Sequence, residues 1–338
     1  MAKAAAQLAD MPPGQGVSSG PRRVPIYEVM RIFLRKPGFL LNRVDQVANA
    51  IYGALAEGGE TLAQAEMLLA IDGGKDRDQV GLARACGIDT STTAIILDNL
   101  EVTGLIAREQ DMRDRRRSLP VLTREGRRRM PGVRRAFAGL QDALLEGFDS
   151  AERRRLDDLL GRVVRRSGDA APRWDIDASP LATAPSLLFR RALQICHAHF
   201  NACVAPQAIT LRQFSALVIL HLHPGLSQVE FARVFGLDPS TCAIVLKKLA
   251  TRGLLLAVRS PEDRRKTLYS TTPEGCEQAA TVQPEADRSE ALTLASLGPA
   301  EIGSLLPMLQ SIVRHHAERL RYPGCLPWDD QPYHEAVD

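Results

Sequence analysis

The sequence predicts a mainly α-helical chain built as two matching halves, each carrying one small β-hairpin. Three observations lead there: an internal repeat, apolar residues at helical spacing through most of each copy, and one charged tip between two short strand-like runs per copy. A shift of 149 residues lays QVGLARACGIDTSTTAIILDNLEVTGLIAREQDMRDRRRSLPVLTREG (79–126) on QVEFARVFGLDPSTCAIVLKKLATRGLLLAVRSPEDRRKTLYSTTPEG (228–275) without a gap, and 21 of the 48 positions are identical. The register extends back to Thr61-Leu62-Ala63-Gln64 over Thr210-Leu211-Arg212-Gln213, and with a one-residue slip to 37–41 over 185–189. Duplication is the economical explanation.

Taken in order, residues 1–25 mix Ala, Pro, Gly and Ser without a sustained apolar stretch, which reads as a disordered tail and not as a signal peptide. Helical spacing then covers 27–56 and 61–70, a short helix 79–86 and another 90–103. Asp89 and Asp238 stand where an N-cap belongs, and Pro239 suits a first helical position. Strand-like runs at 105–109 and 118–123 flank the charged tip, and long helical stretches follow at 127–166 and 274–320. A Pro- and Ala-rich linker, SGDAAPRWDIDASPLATAP (167–185), separates the copies. The expected organisation is a tail at 1–25, domains at 26–166 and 186–321, and a C-terminal tail at 322–338.

Composition narrows the class. The 338 residues suffice for two domains that each bury a core, and no apolar run approaches the eighteen or so residues of a membrane span. Six scattered cysteines without a CxxC pair suit reduced thiols, so a cytoplasmic, non-membrane protein is expected. The net charge of +3 hides an asymmetry: residues 21–168 hold 26 basic against 21 acidic side chains, residues 169–338 hold 16 against 18. Eleven arginines fall between Arg108 and Arg135 against four acids, a density that fits either a solvated helix face or a phosphate-binding patch. No GxGxxG, GxxxxGK[ST] or HExxH occurs, so neither catalysis nor a cofactor is expected.

The segments PGLSQVEFARVFGLDPSTCAIVLKKLATRGLL and DMRDRRRSLPVLTREG, with a D-x-R-D-x-R hairpin followed by L-T-x-x-G, resemble the winged helix-turn-helix of the MarR family of regulators. The resemblance implies two such domains related by pseudo-two-fold symmetry and joined by an interlocked, dimerisation-like helical core. It also implies a repressor of transcription that binds a double-stranded DNA operator and is released by a small aromatic acid. Because one chain holds both partners, a monomeric pseudo-dimer on an imperfect palindrome is expected, its recognition helices about one helical turn apart.

The residues suit that reading on physical grounds. Short polar side chains at a helix N-terminus, Thr90, Ser91 and Thr92 or Ser240 and Thr241, fit a major groove, with Ala94, Leu97 and Leu100 or Ala243, Leu246 and Leu249 holding the opposite face. At the hairpin tips Arg113, Arg115, Arg116, Arg264 and Arg265 are expected to meet the minor groove or its phosphates, oriented by Asp111, Asp114 and Asp263. Lys247 and Lys248 replace Asp98 and Asn99, while Ser260 and Glu262 interrupt the second hairpin's motif, so the halves should not read identical sequences. Arg43 and Arg191 occupy matching positions where a guanidinium would meet an effector carboxylate or a structural acid. Two alternatives stay open: a scaffold for protein partners without DNA binding, and a thiol- or metal-responsive regulator using Cys196, His199 and Cys203, which share a helix face in CHAHFNAC. The matching positions Ala48, Ile51 and Leu55 are apolar, which favours a core stripe there.

Overall fold

The structure is a computed structural model that describes residues 23–74, 77–112, 117–166, 171–175 and 179–327. It is mainly α-helical with small antiparallel sheets. The first copy comprises α1 (Ile26–Phe33), α2 (Pro37–Leu55), α3 (Leu62–Gly73), α4 (Gln79–Cys86), α5 (Thr90–Val102), β1 (Ile106–Gln110), β2 (Ser118–Leu122), α6 (Arg124–Leu144) and α7 (Ser150–Arg166). The second comprises α8 (Pro185–Cys203), α9 (Leu211–Leu222), β3 (Leu226–Ser227), α10 (Gln228–Phe235), α11 (Pro239–Thr251), β4 (Leu255–Arg259), β5 (Thr267–Thr271), α12 (Pro273–Thr293) and α13 (Pro299–His315).

From α3 to α7, every element boundary reappears 149 residues later. The sequence causes are visible at the ends. Thr61 with Gln64, and Thr210 with Gln213, form capping boxes on α3 and α9. Asp89 and Asp238 cap α5 and α11, accepting from the backbone amides of Thr92 and Thr241 at 2.8 Å each. Gly87 (φ 62°) and Gly236 (φ 66°) end α4 and α10 in the left-handed conformation that turns the chain into the next helix.

Three expected helical spans divide. Residues 27–56 break at 34–36, where Pro37 opens α2; 127–166 breaks before α7, with Gly147 at φ 86°; and 274–320 breaks before Gly298, the N-cap of α13. The hairpins pair as expected, Ile106 with Leu122 through Gln110 with Ser118, and Leu255 with Thr271 through Arg259 with Thr267. The short β3, which periodicity did not suggest, adds a third strand through Leu226 opposite Tyr269.

The described chain falls into two compact units, and neither is continuous in sequence. One takes Pro37–Ala198 and Thr293–Leu320; it holds the first helix-turn-helix and hairpin together with most of α8 and all of α13. The other takes the described residues through Lys36, His199–Leu292, and those from Arg321 onward. It holds the second helix-turn-helix and hairpin together with α1.

In the first unit, Met67, Leu68, Leu82, Leu97 and Leu100 are fully buried, and Arg190 of α8 reaches in to pair with the buried Glu66 at 2.7 Å. The linker closes on this unit as well: the Trp174 indole and the Ser179 hydroxyl both donate to the Ala85 carbonyl, at 3.2 and 2.6 Å. In the second unit, Phe33 of α1 meets Phe235 edge-on with ring centroids 5.8 Å apart, and Val24 donates its amide to Leu222 at 2.9 Å. Each helix-turn-helix is thus strapped by the segment that precedes the long helix of the other copy.

Candidate nucleic-acid interface

Both units present the same surface, built from α4–α5–β1–β2 or α10–α11–β4–β5. Gln79 donates to the Thr90 carbonyl at 3.0 Å and Gln228 to the Pro239 carbonyl at 3.2 Å, so in each copy the first short helix holds the start of the second. Burial at Thr93, Ile96, Leu97 and Leu100, matched by Cys242, Val245, Leu246 and Leu249, fixes which face points inward. Ala94 and Ala243 are half-buried, so the expected inner face is corrected: Ile96 and Val245 complete it, about one helical turn before Leu100 and Leu249. Ile95 and Ile244 consequently point outward, 62% and 56% exposed.

Thr90, Ser91 and Thr92 are exposed, as is Ser240, while Thr241 is half-buried. Asp89 organises this end: Ser91 Oγ donates to Oδ1 and Thr92 Oγ1 to Oδ2 at 2.7 Å, and those bonds hold the carboxyl down at about 2. With both protons engaged, these hydroxyls have lone pairs and no donor left for a ligand, which suits amino groups on base edges better than phosphates. Asp238 is likewise held low by the Thr241 hydroxyl and amide.

The outer faces differ in charge. On α5, Asp98 and Glu101 both pair with Arg108, the former at 2.5 Å. On α11, Lys247 and Lys248 are exposed beside an open groove of about 680 Å³, which Gln213, Ile244, Thr251 and Arg252 also line. Arg252 anchors there by donating to the carbonyls of Ala208 and Gln207 at 2.9 and 3.2 Å.

Arg113, Asp114, Arg115 and Arg116 lie outside the described residues. Next to that tip Asp111 is buried and pairs with Arg117 at 3.3 Å, and Arg117 also pairs with the α4 cap Asp78 at 3.1 Å. Arg117, which the sequence reading passed over, ties the hairpin to the first short helix. In the second hairpin Arg264 and Arg265 are exposed, and the Asp263 carboxylate accepts the Arg265 backbone amide at 3.0 Å, shaping the turn. The buried Ser260 completes it, its Oγ accepting from the amides of Glu262 and Asp263 at 3.3 Å.

The L-T-x-x-G pattern acquires a mechanism. Thr123 Oγ1 donates to the Gly104 carbonyl and accepts the Gly126 amide, and Thr272 repeats both bonds with Gly253 and Gly275. A Cβ on Gly126 or Gly275 would stand 2.0 or 2.1 Å from the Leu105 or Leu254 carbonyl oxygen, so only glycine lets hairpin and helix approach this closely.

Arg43 and Arg191 are 1% and 5% exposed, and burial pushes both guanidinium groups down to about 10. Each donates to a glutamine three residues on, Gln46 at 2.9 Å and Gln194 at 2.7 Å. Arg191 further donates to the Gly87 and Pro172 carbonyls at 2.8 Å and lies 5.6 Å from the centre of the Trp174 ring. Cys196 is 3% exposed. Among the described residues no group of three or more His, Cys, Asp or Glu side chains is placed to hold a metal ion, so the CHAHFNAC face offers no donor set. Among the same residues no helix is long and apolar enough to cross a membrane.

Comparison with known proteins gives two matches to family models described as MarR family, at residues 59–117 and 209–267. A putative transcriptional regulatory protein for the hcr operon of Thauera aromatica is 30% identical over 112 residues, 33% of this chain and 68% of that one. The HTH-type transcriptional repressor NicR of Pseudomonas putida is 28% identical over 126 residues, 37% of this chain and 80% of that one. Among solved structures, the repressor CouR bound to a 23-mer DNA duplex is 34% identical, with 38% of this chain and 91% of that chain covered and a TM-score of 0.36. The relative at 30% identity, covered over 68% of its length, and the two model matches show that the chain belongs to the MarR family and carries the family's unit twice.

Proposed function

We propose that the protein is a sequence-specific, double-stranded-DNA-binding repressor of transcription that acts as a single-chain pseudo-dimer on an imperfect palindrome, with residues 26–166 and 186–321 as its two DNA-reading repeats. The observation that carries this reading is the twice-built surface: an exposed polar helix start, held by a glutamine from the preceding helix and flanked by a hairpin. The regulatory relatives support it. Thr90, Ser91, Thr92, Ser240 and Thr241 meet base edges; Lys247, Lys248, Arg264 and Arg265, with Arg113, Arg115 and Arg116 in the first hairpin, meet phosphates or the minor groove. Asp111 and Asp263 shape the hairpins that carry them, and Asp114 is the remaining candidate to orient the first hairpin's arginines.

The charge difference makes the halves unequal partners. Asp98 and Glu101 spend their charge on Arg108, whereas Lys247 and Lys248 face outward, so the second repeat carries more of the salt-dependent affinity through α11. On a duplex selected from the protein's own upstream region, Lys247→Ala/Lys248→Ala is expected to weaken binding and reduce the salt slope by about two, one per lost phosphate contact. Unchanged affinity and slope would defeat the assignment. Light scattering without DNA is expected to give the mass of one chain.

An aromatic acid is the effector that Arg191 suits. The Gly87 and Pro172 carbonyls and the Gln194 amide that accept from it are uncharged, its Nε has no hydrogen-bond partner, and the Trp174 ring offers a stacking face. Arg43, with its own glutamine, is the matching candidate. A thermal-shift series with benzoate and hydroxybenzoates is expected to stabilise the protein, and Arg191→Lys should diminish the shift because a lysine cannot bind a carboxylate in bidentate fashion. No shift with any aromatic carboxylate would remove the effector reading while leaving DNA binding in place.

A further inference from the structure

His221, on the last turn of α9, and Cys276, on the first turn of α12, meet with Nδ1 and Sγ 3.1 Å apart. Thr271, at the end of β5, places Oγ1 3.3 Å from the same sulfur. Cys276 is half-buried, not sealed in the core as Cys86 and Cys242 are, and it stands at the positive end of a 21-residue helix. These features together are the surroundings of a reactive thiolate: a basic imidazole to take the proton, a hydroxyl to solvate the anion, and a helix dipole to stabilise it. The hydrogen bond from His221 holds the Cys276 thiol below its usual range, and the same bond raises His221. Cys86 and Cys242 show the contrast: burial, with Glu66 beside the first and Asp238 beside the second, pushes both up to about 12. The first copy holds Arg127 and Asp72 at the matching positions, so the pair belongs to the second copy alone.

We propose that the His221–Cys276 pair is a thiol oxidation site whose substrate is a small hydroperoxide. The Cys276 thiolate attacks the terminal oxygen of ROOH; an S–O bond forms as the O–O bond breaks. Sulfur gives up two electrons and becomes a sulfenic acid, and the peroxide is reduced to ROH, its leaving oxygen taking the proton from the His221 imidazolium. His221 acts through the sulfur as a positioning and proton-holding residue. The product lies against the end of β5, the strand that closes the second hairpin. This site goes beyond the DNA and effector readings and depends on neither.

The test uses the full-length reduced protein without DNA, hydrogen peroxide or tert-butyl hydroperoxide as oxidant, and dimedone trapping read by peptide mass spectrometry. Cys276 is expected to be trapped about tenfold faster at neutral pH than Cys203 or Cys325, which are also half-buried. Cys276→Ser should remove that label and leave the others. His221→Gln should slow iodoacetamide labelling of Cys276 several-fold at neutral pH, and the two rates should converge near pH 10, where a thiol ionises without help. A merely structural role for His221 would not give that convergence. Trapping at Cys276 no faster than at Cys203 or Cys325, or a His221→Gln rate equal to wild type at neutral pH, would overturn the proposal. Neither result bears on transcriptional repression.

Discussion

His223 shows how much a single side chain can decide. It is 8% exposed, its Nδ1–H donates to the Val24 carbonyl at 2.7 Å, and its Nε2 accepts from Arg23 at 2.9 Å, a pattern that requires the neutral ring. Burial, with Arg23 adding to it, holds the ring below its ordinary 6.5 although the Val24 carbonyl and Glu230 oppose the shift. A depressed histidine contributes stability that is present above pH 6.5 and is lost as pH falls through the folded-state value. The strap at 23–33 is therefore expected to loosen on acidification. The protection factors of those amides, exchange rates corrected for the intrinsic rate at each pH, should fall between pH 7.5 and 5, and His223→Gln, which keeps a donor and an acceptor without a titratable ring, should flatten the response. The sequence places His221 and His223 just before the second helix-turn-helix and gives neither a role. It did not bring out their partners, because Val24 and Cys276 lie far from them in the chain and only packing makes them neighbours.

At the scale of elements, the repeat carried most of the information. Two copies of one pattern set the boundaries of α3 through α7, and local chemistry explains each: capping boxes, aspartate caps, left-handed glycines and the threonine that closes the hairpin base. What period alone left obscure was where long helical stretches stop. The spacing across 27–56 continues through a break at 34–36, because α1 and α2 each keep an apolar face while packing in different units. Helix α8 carries the clearest energetic test. Arg190 compensates Glu66, which burial pushes upward and Arg190 draws back, and it also donates to the Cys86 carbonyl at 3.0 Å. Removing one partner of a buried pair strands the other, so Arg190→Ala is expected to cost about 3–5 kcal/mol in urea unfolding. Glu66→Leu/Arg190→Met should recover most of that loss.

At the scale of the whole molecule, both compact units draw chain from both copies, so neither repeat is a self-sufficient folding unit. Fragments 1–166 and 167–338 are each expected to show diminished helicity or to aggregate alone, and to regain helical circular dichroism on mixing; a native-like 1–166 fragment would contradict the shared units. Composition and repeat foretold two lobes, but the exchange of helices came from resemblance alone, since no periodicity records which lobe a helix joins. The Glu66–Arg190 pair gives that exchange a direction. The residues at the reciprocal positions are Ser215 and Asn42, which are neutral. Were two chains to join first half with first half, Asn42 would take the place of Arg190 and each Glu66 would sit buried without its counter-ion. The duplication has thus acquired a polarity: first halves reject one another and accept a second half, and the tether makes the one in the same chain the nearest at hand.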